Sequence, residues 1–198
     1  MQVMKRAFLL CPLFGFAALT SCMMPPPPTV GEPSMPFRRV PPAVQANRPA
    51  RNLGEIDRVA QRVAGETGKP LSVYVNENPN PRGAVASMYH EAWGGRIVVN
   101  PRSARQVPLN SWAFIFGHEF AHHVHHFGNR GHTDPEQELR ADILGAEYAI
   151  RAGYDLVPYL RWMLASSRSF TRSHGSMQER AYAMARYFGV RGELREDF

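Results

Sequence analysis

From about Leu53 onward the chain alternates between two hydrophobic rhythms. Ile56, Val59, Ala60 and Val63 recur at helical spacing and stop at Gly65 or Gly68, which predicts an amphipathic helix. Leu71 to Val75 alternates like a strand, and Asn76 to Gly83, rich in Asn and Pro, reads as turns. Ala84 to Tyr89 and Arg96 to Val99 read as two short strands across a Gly94-Gly95 turn. Helical patterning then runs to the end. Ser111 is placed to cap a helix reaching about Phe127, and Asp134-Pro135 opens another that Gly153 ends. Leu156 to Ala165 and Met177 to Phe188 make two more. Strands first and helices afterwards predict an α+β domain, a small antiparallel sheet packed on a helical bundle.

Before Leu53 neither rhythm is present. Lys5 and Arg6 precede an apolar run from Ala7 to Ser21, the layout of a secretory signal and too short for a comfortable membrane span. The run ends Leu19-Thr20-Ser21-Cys22, which resembles the bacterial lipobox. That resemblance implies cleavage before Cys22 and lipid on its thiol, as in a palmitoylated, diacylglycerol-bearing lipoprotein. Met23 rather than Asp follows, which by the same resemblance points to the outer membrane, facing the periplasm. Pro25 to Pro28 and Pro41-Pro42 then favour extended polyproline conformation, a semi-rigid spacer. The expected organisation is a signal over 1–21, a tether over 22–52 and one domain over 53–198.

Composition refines this only slightly. Hydrophobic residues at 44% and charged residues at 20% suit a globular domain. The formal charge is +6; losing Lys5 and Arg6 with the signal leaves +4, spread without a block of like charges. Nothing resembles a nucleic-acid module. A solvated basic surface is expected, with at most weak attraction to anionic lipid or cell-wall polymer. The cysteines are Cys11 and Cys22, so no disulfide framework can form beyond the tether.

The chemistry concentrates in Phe116-Gly117-His118-Glu119-Phe120-Ala121-His122, an H-E-x-x-H motif. On a helix, positions i and i+4 share a face, so His118 and His122 can offer ring nitrogens to one ion. Glu119 then projects beside the metal as a base for an activated water. Trp112, Ile115, Phe116, Val124 and Phe127 make the helix a buried one, where two unpartnered histidines would be costly. A zinc site needs a third ligand. The metzincin spacing fails, because His125 and Gly128 stand in the reverse of the required order. A Glu from the following helix, as in gluzincins, is supplied by Glu138-Leu139-Arg140-Ala141-Asp142. Glu138 can reach the ion, and Asp142, one turn on, can accept a hydrogen bond from a liganding imidazole. Ala141 is small enough for a close helix approach. His123, His125, His126 and His132 crowd the end of the motif helix, as a metal-trapping patch or as solvated side chains, and His90 has no assigned role.

H-E-x-x-H followed by E-x-x-A-D resembles the gluzincin peptidases of the CAAX-prenyl-protease and HtpX-like kind, and the bacterial neutral zinc metallopeptidases. His174-Gly175-Ser176 with Arg180 is similar to the His-Pro/Gly-Ser stretch and Arg of that family, so the likeness covers about Arg96 to Phe188. It implies a zincin-like fold, one Zn2+ per chain on His118, His122 and Glu138, and Glu119 as general base. The expected activity is hydrolysis of peptide bonds in envelope proteins, misassembled ones included. His174 is the candidate donor to the oxyanion, Arg180 a brace near the site, and Arg96-Ile97-Val98-Val99 an edge strand for extended substrate. The alternative is a non-catalytic, zinc-stabilised binding or chaperone lipoprotein.

Overall fold

The structure is a computed structural model that describes residues 48–77, 85–91, 94–126, 134–166, 170–171 and 175–197. The signal, Cys22, the tether up to residue 47, most of the turn-rich stretch, His132 and His174 lie outside the described residues. So does the end predicted for the motif helix at Phe127. Among the described residues no helix is long and apolar enough to cross a membrane.

Helix α1 (Leu53–Ala64) starts where Asn52 caps the Glu55 amide at 3.1 Å, and it buries Ile56, Val59, Ala60 and Val63 as their spacing predicts. A 3-10 turn at Gly65–Thr67 follows, and Gly68 at φ 69 reverses the chain, a conformation that favours glycine. Strands β1 (Val73–Glu77), β2 (Ala86–Glu91) and β3 (Gly94–Val99) then form one sheet in the order β1-β3-β2. The pairing of β2 with β3 is antiparallel, but β1 runs parallel to β3, so the sheet is mixed and not antiparallel. Gly94 and Gly95 belong to β3 instead of forming the turn.

The topology corrects one further expectation. Arg96, Ile97, Val98 and Val99 lie in the central strand, paired on both sides, and offer no edge to a substrate. Ile97, Val98 and Val99 are 0%, 6% and 0% exposed. An unbroken Ile-Val-Val run is what a strand buried on both faces looks like, whereas an edge strand alternates. The sheet's edges are β1 and β2.

A short helix α2 (Pro101–Ala104), capped by Asn100, leads to the motif helix α3 (Leu109–His125). Ser111 does not cap α3. The helix opens at Pro108, whose carbonyl accepts from the Trp112 amide at 3.1 Å, and Ser111 is buried in its first turn. Proline's fixed φ and missing N–H suit a helix entrance without a side-chain cap. Asn110, beside it, exchanges hydrogen bonds with the backbone of Asp155 at 2.7 and 3.0 Å. Trp112, Phe116 and Phe120 stack in succession along α3 and fix it in the core.

Helix α4 (Pro135–Arg151) begins as expected, with Asp134 accepting from the Gln137 amide at 2.8 Å, and Gly153 at φ 89 turns the chain out of it. Helices α5 (Leu156–Ala165) and α6 (Met177–Tyr187) match their predicted spans. Between them strands β4 (Phe170–Thr171) and β5 (Gly175–Ser176) form a two-residue ladder, which the sequence reading lacked. Six helices and the small mixed sheet make the described fold α+β.

Candidate metal centre

Helices α3 and α4 cross at a point where neither has a side chain. A Cβ on Gly117 would collide with the carbonyl of Gly145, and a Cβ on Gly145 would collide with the backbone at His118. This backbone contact, more than the small Ala141, sets the helix separation. Gly145 lies seven residues after Glu138, on the same helical face as Glu138 and Asp142. The crossing therefore aims those two carboxylates at the histidines that follow Gly117.

His118 Nε2 and His122 Nε2 stand 3.0 Å apart. The Glu138 oxygens lie 3.4 Å from His118 Nε2 and 3.5 Å from His122 Nε2. One donor atom from each of the three residues falls within 4.8 Å of the other two, a group that can hold a metal ion. Zinc–nitrogen bonds of about 2.0–2.1 Å in tetrahedral geometry put donors about 3.3 Å apart. The His–His spacing and each histidine's distance to its nearer Glu138 oxygen lie close to that value, so the residues suit an ion of zinc's size. Glu138 is 1% exposed, and a carboxylate buried that deeply needs cationic company.

Behind the donors stands a second tier. Asp142 Oδ1 lies 2.9 Å from His118 Nδ1, which as N–H donates to it and leaves Nε2 to face the donor group. Arg180, brought in by α6, grips both oxygens of Asp142, Nε donating to Oδ2 and Nη2 to Oδ1, each at 2.6 Å. The same guanidinium is 3.9 Å from Glu138 Oε2. Burial alone would raise the Asp142 pKa, but His118 and Arg180 hold it below the usual carboxylate range. Burial would likewise lower that of His118, yet Asp142 and Glu138 outweigh it and lift the imidazole to about 9. Burial pushes the Glu119 carboxyl up, against the pull of His118, His122 and the Met88 main-chain amide that donates to it.

Of the remaining histidines, His125 is turned to the Tyr148 hydroxyl at 3.0 Å, and among the described residues neither it, His123 nor His126 joins the donor group. The contribution of Met88 was not foreseen, and no side-chain signal exists for a backbone amide. The paired glycines were legible in principle, from Gly117 abutting the motif and Gly145 continuing the Glu138–Asp142 face.

No protein-family model matches the chain, and none of the curated proteins or solved structures compared with it matches either.

Proposed function

We propose that the protein is a zinc-dependent endopeptidase of gluzincin type with a zincin-like domain, tethered by a lipidated Cys22 to the bacterial outer membrane and facing the periplasm. The observation that carries this reading is the convergence of His118, His122 and Glu138 beside Glu119, a carboxylate outside the donor group. His118 and His122 through Nε2, and Glu138 through a carboxylate oxygen, would hold one ion. Zinc held there supplies Lewis-acid polarisation of a scissile carbonyl and of an attacking water. Glu119 takes up the water's proton and passes it to the leaving amine, a role favoured by burial, which raises its pKa and so its basicity. Asp142, clamped by Arg180, keeps His118 in the tautomer that presents Nε2. Edge strand β2, whose Met88 amide already reaches Glu119, takes the place of Arg96 to Val99 as the strand along which an extended peptide would lie. His174 remains the proposed oxyanion donor on sequence grounds, and the resemblance to HtpX-like peptidases supports envelope proteins as substrates.

Glu119→Gln tests the reading. The variant should keep its fold and one equivalent of zinc while cleavage of an unfolded envelope protein falls about 10²–10⁴-fold. Zinc retained together with undiminished cleavage would remove Glu119 from the chemistry. If neither wild type nor variant cleaves, the chain is a zinc-stabilised binding or chaperone module.

A further inference from the structure

Positive charge gathers on one face of α1. Arg58 and Arg62 lie one helical turn apart, both exposed, and among the described residues neither reaches a carboxylate. Like charges at this spacing repel each other and weaken the helix that carries them. The nearby acids are already engaged. Glu55 is held by Arg48 through two 2.9 Å bonds, which keep its carboxyl down at about 2, and Asp57 is turned to the Val75 amide at 3.4 Å. Arg62 lies over the ring of Tyr154, 5.8 Å from its centroid. Together Arg48, Glu55, Arg58 and Arg62 rim a hollow of about 480 Å³, which among the described residues is also lined by Val59, Leu109 and Tyr154. Leu109 opens α3, so the hollow lies about 13 Å along that helix from His118. It is separate from the metal centre.

A cationic rim around an apolar lining suits an anion that carries an apolar body. Guanidinium forks engage phosphate oxygens in pairs, and two of them side by side can share one phosphodiester. The position of the hollow indicates which phosphodiester. Arg48 is the first described residue, and its carbonyl accepts the Leu109 amide at 2.9 Å while Pro49 bridges to Pro108. The proline-rich segment leading from Cys22 therefore joins the domain at the rim of this hollow.

We propose that the arginine-rimmed hollow between α1 and the start of α3 binds the phosphate of an anionic phospholipid headgroup, seating this face of the domain on the membrane. The contact goes beyond the peptidase reading and does not need it, but its choice of a lipid phosphate rests on the proposed anchor at Cys22. It adds a second attachment, electrostatic and reversible, to the covalent one expected at Cys22. A seat so close to the root of the tether also fixes which side of the domain faces the lipid.

The test is arginine footprinting of the full chain, reconstituted in vesicles and treated with phenylglyoxal. In vesicles containing phosphatidylglycerol, modification of Arg58 and Arg62 should slow several-fold relative to pure phosphatidylcholine vesicles. Arg140, which pairs with Glu136 on α4, should react equally in both. The protection should fade as salt is added. Equal reactivity of Arg58 and Arg62 in the two vesicles overturns the proposal. So does equal protection by inorganic phosphate added to phosphatidylcholine vesicles, since that describes a free-anion site.

Discussion

Two arginine environments in this chain are opposites. Arg180 is nearly buried and spends its charge on Asp142 at 2.6 Å, with Glu138 just beyond. Arg58 and Arg62 stand exposed, with no carboxylate partner among the described residues. The first arrangement is closed: the protein supplies both charges, and neither can be removed without stranding the other in a medium that solvates it poorly. The second is open, and its balancing charge has to come from outside. Arginine content therefore says little about role; the distance to the nearest acid and the depth of burial decide it.

The largest expected effect comes from breaking the closed arrangement. Arg180→Leu leaves Asp142 buried with only one of its two cationic partners and should destabilise the fold by about 3–5 kcal/mol, read by denaturant titration of the metal-free protein. Arg58→Gln with Arg62→Gln should shift the same titration by no more than a few tenths of a kcal/mol, on the stabilising side, as their mutual repulsion is relieved. A small loss for Arg180→Leu would mean that the clamp is solvated and that the contrast is false.

Next in size is an effect of pH. In the metal-free protein the His118 imidazole, raised to about 9, is protonated at neutral pH. A raised pKa stabilises the fold below the unfolded value near 6.5, and that contribution is lost as pH climbs through 9. Zinc must displace the proton, so its affinity should rise with pH over the same interval, by about tenfold per unit. The two trends run in opposite directions, and melting curves with and without zinc between pH 6 and 9 should diverge steadily. Parallel curves would show that His118 is neutral before the metal arrives.

Smaller again is the expected effect of the inner carboxylate on metal affinity. Asp142→Asn keeps a hydrogen-bond acceptor beside His118 but drops the charge, and should weaken zinc by about 10–100-fold in a chelator competition. The smallest effect is expected at the chain's entry. Glu55, held at about 2 by half-buried Arg48, stabilises the fold above the unfolded carboxylate pKa of 4.5, and the contribution is lost as pH falls through 2. Glu55→Gln should remove that acid-side slope and change little else, because surface ion pairs contribute weakly.

What could be read beforehand follows from the range of the forces involved. Local rules fixed α4, α5 and α6, whose caps Asp134, Asp155 and Ser176 sit within a few residues of the amides they satisfy. His118, His122, Glu138 and Asp142 were legible because helical spacing puts their side chains on predictable faces. Strand order was not, since pairing β1 to β3 in parallel joins residues separated by a long connection that no local signal encodes. Ser111 resembles a cap because hydroxyls favour that position, yet the helix enters at Pro108 with no side-chain cap at all. Arg180 was legible only through a family likeness; its grip on Asp142 is a contact between residues 38 apart.

The crossing of α3 and α4 has a consequence for how the chain tolerates change. The centre's dimensions are set where there is no chemistry to conserve, at two hydrogen atoms, one on Gly117 and one on Gly145. A saturation screen for lost zinc should therefore find position 145 as intolerant as the ligands themselves, with even Ala excluded. Position 141, one turn away and equally buried, should accept Gly at modest cost. An inventory of functional residues drawn from reactive side chains alone would miss the residue on which the spacing of all the others depends.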